Sequence, residues 1–347
     1  MSRGKRARKK AREEARVDEP VADEPVDRAD PVSVLEASIA SESKQSSGME
    51  LWAVLSNVLF ALYIAAILYL GMRPGGRLPV QVFLFGPFVF AIAAMVLLIW
   101  GAVRSTLRRP ILQRKRLRAF VMLAVVFGTA NTRIPYPSPY EKAVSSTCFR
   151  LPGEGEWTVF WGGELEQENR LATLFPARRW GLDLVETRDG KTHSGDGTKC
   201  TDYFVFGRAV AAPADGEVVA VRDGDPDLDP GAVRPAHPFG NHVVLRVEDG
   251  EYLFLARLRQ NSIRVSVGES VAAGDVLGEV GASAPTAVTP EPHLSLHLQA
   301  NEDAVFGEGI PWRFCEYLRD GELVARGLPR GGVSRAGELV GERVRIP

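Results

Sequence analysis

Three regimes of hydrophobic patterning divide the chain. Leu51 to Met72 is apolar and uncharged; at about 1.5 Å per residue such a run covers a hydrocarbon layer of about 30 Å. It is too long, and too far from the first residue, to be a cleaved leader. A short link, Arg73 to Arg77, separates it from a second uncharged run, Leu78 to Val103, whose first turns are weakened by Pro79, Gln81 and Pro87. The two runs predict a tight helical hairpin. A third uncharged run, Ala119 to Thr132, reaches only about 21 Å as a helix. It crosses a bilayer only if Arg118 and Arg133 extend their side chains to the two faces. Residues 49–132 thus predict two or three transmembrane α-helices, over 51–72, 78–103 and, as the third, 119–132.

From Leu151 onward the period shortens to two. His242-Val243-Val244-Leu245-Arg246-Val247 alternates, and Glu248-Asp249-Gly250-Glu251 leads into a second run, Tyr252 to Leu258. A hairpin is predicted there, because Gly supplies the positive φ that such a turn needs. Gly216, Gly268 and Gly274 mark further reversals, and Asp223 to Pro238 reads as a surface loop long enough to rim a cleft. These signals predict a mainly antiparallel β domain over residues 151–318. Ahead of it, residues 133–150 hold the proline-rich Ile134-Pro135-Tyr136-Pro137-Ser138-Pro139-Tyr140, read as a stiff linker that keeps the domain off a bilayer. Residues 319–347 keep some alternation between glycines and either add an edge strand or trail loosely. Residues 1–48 hold a basic block, Arg3 to Arg16, followed by Asp, Glu, Pro, Ser and Ala; such a composition buries no core and predicts a disordered tail.

Charge changes the picture only locally. The formal net charge is −1, so no global basic field points to nucleic acid, and none is expected as a partner. Arg104, Arg108, Arg109, Arg114, Lys115, Arg116 and Arg118 are dense enough for the positive-inside rule to place them in the cytoplasm, with the N-terminal block on the same side. Cys148, Cys200 and Cys315 form no CxxC and no zinc-ribbon spacing.

The phrases APADGEVVAV from Ala212 and its neighbours, GNHVVLRVEDGEYLFLARL, IRVSVGESVAAGDVLGEVG and EPHLSLHLQ succeed one another between Ala209 and Gln299. Their strand and turn order resembles the β-sheet core of the lysostaphin-type (LytM-like) zinc metallopeptidases, murein endopeptidases with a duplicated hybrid motif fold. The resemblance covers about residues 150 to 318. It implies a zinc held by the His and Asp of an HxxxD motif and the second His of an HxH motif. Three protein ligands and a water make an open catalytic site. The first His of HxH and a His in a Y-x-H-L phrase would assist proton transfer.

Carried over residue by residue, HxxxD falls on Arg179-Trp180-Gly181-Leu182-Asp183, with arginine for histidine. The assisting His of Y-x-H-L becomes Arg257, and HxH becomes His293-Leu294-Ser295. Asp183 is the only family ligand retained, and His293 is the retained assisting position. His297 shares a strand face with His293 and Ser295 but lies about 13 Å along the strand from His293, too far to complete one zinc site with it; it reads as a cleft or surface residue. Arg179 is expected on Asp183, in the charge role of the metal. His193 is a conceivable rescue ligand, although a solvated loop histidine is the simpler reading.

The resemblance therefore implies a degenerate, membrane-anchored member, without an expected cofactor, that binds peptidoglycan or regulates a wall hydrolase. Arg179 and Arg257 would suit a carboxylate of a wall stem peptide. An active zinc endopeptidase with a non-standard site is the alternative, and a structural membrane adaptor a second. The same turn grammar is used by biotinyl and lipoyl carriers, but these need a hairpin lysine and no lysine follows Lys199. A wall-directed fold has its substrate outside, so the third run is expected to cross. The C-terminal domain would then be extracytoplasmic on the bacterial inner membrane. If a disulfide forms there, Cys200 with Cys315 is the expected pair, since both lie in the family-like region; three free thiols are the alternative.

Overall fold

The computed structural model describes residues 50–107, 113–132, 134–163, 165, 168–171, 175–232, 237–284, 289–334 and 337–347. The predicted charged tail, Arg108, Arg109 and Arg133 lie outside the described residues. The chain divides into two compact units, Met1–Leu51 and Trp52–Pro347. The helices from Trp52 onward and the whole β domain belong to the second.

Among the described residues three helices come first: α1 (Leu51–Gly71), α2 (Arg77–Leu107) and α3 (Arg114–Ala130). The hairpin between α1 and α2 turns through Arg73, at φ 53°, and Gly76, at φ 104°. The first two helices are long and apolar enough to cross a membrane. Their apolar surface faces outward rather than inward, with Leu68 64% and Phe88 69% exposed. The third helix starts five residues before its apolar run, because Arg114, Lys115, Arg116 and Leu117 are good helix formers. At 17 residues it is about 26 Å long. It packs along the hairpin through Leu123, Val126 and Ala130 against Tyr63, Ala94 and Leu97, and Tyr63 Oη meets Thr129 Oγ1 at 2.8 Å. Gly101 makes room for Trp52, whose ring would lie 2.7 Å from any Cβ added there.

The strands are β1 (Trp157–Trp161), β2 (Leu182–Val185), β3 (Ala209–Ala211), β4 (Gly216–Arg222), β5 (Asn241–Glu248) and β6 (Glu251–Leu258). They continue with β7 (Ser270–Val271), β8 (Val276–Glu279), β9 (Leu294–Gln299), β10 (Phe314–Arg319), β11 (Glu322–Gly327) and β12 (Arg343–Arg345). Among the described residues, ten of these form a sheet in the order β11-β10-β12-β1-β2-β9-β6-β5-β4-β7, and β3 pairs with β8 in a second, small sheet. Among the described residues every ladder between these strands is antiparallel. The β5–β6 hairpin turns at Gly250, at φ 74°. One face of the sheet carries the main core, including Trp157, Leu182, Leu184, Leu245, Leu253, Leu255, Leu294, Leu296, Leu298 and Trp312.

Long-range pairing decides one open reading and corrects two others. Residues 319–347 do not trail: β11 forms the edge of the sheet, and β12 sits between β10 and β1 and joins the β10–β11 hairpin to the rest. The disulfide joins Cys148 to Cys315, leaving Cys200 free and buried; a parallel bridge between Phe149 and Phe314 brings their neighbours together. The proline-rich segment is not a spacer. Tyr136 is buried, donates to Glu308 Oε1 at 2.6 Å and packs on Phe83 of α2. The amide of Gly76 reaches the other Glu308 oxygen at 2.7 Å, and Arg77 lies over the Phe306 ring. The domain is thus docked on the end of the helices that bears the α1–α2 turn.

Candidate functional site

Strand alternation puts Leu294, Leu296 and Leu298 on the core face, so His293, Ser295 and His297 point to the other side. Register then fixes their neighbours: Ser295 pairs with Asp183 of β2 on one side and Ala256 of β6 on the other. All three, with Asp183, are essentially inaccessible to solvent.

The same alternation would send Arg257 into the core, since Leu253 and Leu255 already face it. A β-bulge prevents this. Asn241 pairs with Leu258 and His242 with Ala256, so Arg257 is the extra residue, at φ 68°. Its amide donates to the Phe239 carbonyl at 3.1 Å, and its carbonyl accepts from Gly281 N at 2.9 Å. Gly281 is required for that approach, because a Cβ there would lie 2.4 Å from the backbone of Arg259. The bulge returns Leu258 to the core and turns Arg257 toward the site.

A single turn of 3-10 helix, Pro176–Arg178, supplies the other guanidinium. Proline opens the turn, and the Arg178 amide and carbonyl close it on Phe175 and Gly181. Arg178, which is 2% exposed, forms an ion pair with Asp183 Oδ1 and donates to Ser295 Oγ at 2.5 Å. Thr289 donates to Asp183 Oδ2 at 2.7 Å. The expectation that Arg179 would lie on Asp183 is therefore corrected by one residue. Arg179 points away, to the Tyr136 carbonyl, Glu141 and the Trp180 ring. In a short turn neighbouring side chains diverge, and only Arg178 faces the sheet.

His293 donates from Nδ1 to the Glu291 carbonyl at 2.7 Å, which leaves Nε2 unprotonated, 3.6 Å from Asp183 Oδ2. His297 donates from Nε2 to Gln299 Oε1 at 3.1 Å and stacks on Phe254 at 4.7 Å. It is a fully buried residue of the site's floor, not a surface one. His193 packs on Tyr203 instead, with Glu291 nearby.

Electrostatics follow from burial. Desolvation pushes the Asp183 carboxyl upward, but Arg178, then His293, Arg257 and the Thr289 hydrogen bond outweigh it and hold it at about 2. Burial first, and Arg257 and Arg178 with it, lowers His293 to about 4 against the opposing pull of Asp183. Burial and Arg178 lower His297 well below its ordinary range. Burial and Arg178 press Arg257 down to about 9, still protonated at neutral pH. Glu291, beside the site, is raised by burial to about 7.

These residues do not fit zinc. Asp183 has one oxygen on a guanidinium and the other on a hydroxyl, Ser295 offers only a hydroxyl, and the two imidazole nitrogens with free lone pairs, His293 Nε2 and His297 Nδ1, belong to residues about 13 Å apart along the strand. Among the described residues no group of three His, Cys, Asp or Glu could hold a metal. At an effective dielectric near 20, a guanidinium about 4 Å from a divalent ion costs on the order of 8 kcal/mol.

Residues 197–306 match the model of Peptidase family M23. The matched segment holds Arg257, His293, Ser295 and His297; Arg178 and Asp183 precede it. Among solved structures, the chain is similar to a zinc-containing peptidase from Vibrio cholerae, at 18% identity and TM-score 0.29, over 44% of this chain and 36% of that one. It is also similar to a catalytic-domain mutant of the prophage-encoded M23 protein EnpA from Enterococcus faecalis, at 15% identity and TM-score 0.28, covering 46% and 94%. The catalytic domain of lysostaphin from Staphylococcus simulans matches at 17% identity and TM-score 0.25, covering 45% and 88%. No curated protein matches the chain.

Proposed function

Taking residues 197–306 as an M23 peptidase domain, we propose that the chain is a membrane-anchored, non-hydrolytic member that binds peptidoglycan peptides or regulates a wall hydrolase. The observation that carries this reading is the Arg178 guanidinium, buried on Asp183 and Ser295. The resemblance assigns metal to those two positions, and a fixed positive charge there repels the ion that would activate a water. The outward-facing apolar surface of α1 and α2 supports the membrane part, since side chains such as Leu62 and Ile99 need a non-aqueous surrounding. The third helix ends at the same end of the bundle as the α1–α2 turn. Three crossings would then put the domain opposite the basic segment that precedes α3, outside the cytoplasm.

The test is made on the full chain in detergent: metal content, chelator-sensitive hydrolysis of purified sacculi, and co-sedimentation with them. The expected result is no stoichiometric zinc, no hydrolysis and retained binding. Stoichiometric zinc with chelator-sensitive cutting would replace this reading with that of an endopeptidase built on a non-standard site. Neither binding nor cutting would leave a structural adaptor.

A further inference from the structure

Among the described residues the buried cluster is out of charge balance. Two guanidiniums, Arg178 and Arg257, share one carboxylate, Asp183, while His293 and His297 are neutral at pH 7. Asp183 is the only carboxylate that acts on Arg257 among the described residues.

The surplus sits on Arg257. Its Nε and Nη1, and Nε of Arg178, are buried without a hydrogen-bond partner. Leaving such donors unmet forfeits the hydrogen bonds they made to water, a larger loss where they carry charge. A surface arginine would simply turn to water, but the positive φ of the bulge, closed by Phe239 and Gly281, holds this one inward. Strained backbone that aims an unmet charged group at one place is a sign of a binding position.

We infer that the cluster is an anion site, in which Arg257, backed by Arg178, takes a single carboxylate. One negative charge balances the two guanidiniums against Asp183, and a carboxylate accepts the donors that Arg257 leaves unmet. The phenyl rings of Phe239 and Phe254, packed around His297 on the same face, exclude water and strengthen the pairing. This assignment deepens the reading of a cleft that binds without cutting, and rests on it only for the source of the carboxylate.

The experiment follows thermal unfolding of the full chain in detergent, at constant ionic strength, as chloride is replaced by acetate. Parallel titrations use an N-acetylated dipeptide with a free C-terminal carboxylate and the same dipeptide as its amide. A saturable rise in Tm is expected with acetate and with the acid but not with the amide. Tighter binding of the acid than of acetate assigns a peptide terminus; equal binding assigns a small free carboxylate. Arg257→Gln is expected to weaken the response at least tenfold. Because that variant can also disturb the bulge, Ser295→Asp provides an independent arm. It places a carboxylate inside the cluster and is expected to raise Tm without ligand and abolish the acetate response. No saturable response in the native chain, or an Arg257→Gln response within twofold of native, overturns the assignment, whatever the zinc and sacculus measurements give.

Discussion

The two faces of β9 share one backbone and obey opposite rules. Leu294, Leu296 and Leu298 meet a continuous apolar core drawn from both halves of the sheet; on that side shape and volume decide what fits. His293, Ser295 and His297 meet Asp183, Arg178, Arg257 and aromatic rings, and there charge decides. Burial is equally complete on both faces. The core face tolerates a similar apolar residue at modest cost, whereas the other face depends on each partner of a charged set.

The sharpest break of this contrast is Asp183→Asn. It removes the carboxylate from between two buried guanidiniums and is expected to cost about 3–5 kcal/mol in denaturant unfolding. A loss under about 1 kcal/mol would mean that the charged face is solvated and the contrast false. Leu296→Ala on the opposite face should cost about 3 kcal/mol, by lost burial and a residual cavity. Its effect should be the same from pH 7 down to pH 5, because it packs in the apolar cluster and pairs with Leu182 and Leu255.

The smallest effect is the most diagnostic. His293 sits at about 4 in the folded chain against an ordinary 6.5. Folding therefore favours its neutral form, and this contribution is complete above pH 6.5 and is lost as pH falls toward 4. Asp183 loses its own contribution lower, between its ordinary 3.8 and about 2. His293→Gln should flatten the upper limb by on the order of 1 kcal/mol between pH 6.5 and 5 and leave the lower one. An unchanged upper limb would move that titration to another group.

Much of the sheet was legible because its signals are local. Alternation and an Asp-Gly turn predict β5 and β6, and strand parity alone groups His293, Ser295 and His297. Arg257 was found through a phrase, but its bulge was not, since nothing in Ala256-Arg257-Leu258 announces a positive φ. Arg178 was missed by one position: motif spacing counts residues along the chain, whereas a turn opened by Pro176 decides which of two consecutive arginines faces inward. That adjacent pair was the available signal. The pairing of Cys148 with Cys315 and the central place of β12 depend on contacts between distant segments, which no local pattern carries.

The Glu308 contacts with Gly76 and Tyr136 bear on how the domain would search for a partner. A domain on a flexible tether sweeps a volume set by tether length and trades orientation for reach. A domain clamped to the end of its own helices gives up that sweep. In a bilayer it would diffuse in two dimensions at a fixed height and with a fixed tilt, so its encounters would be selected by geometry before any side chain makes contact.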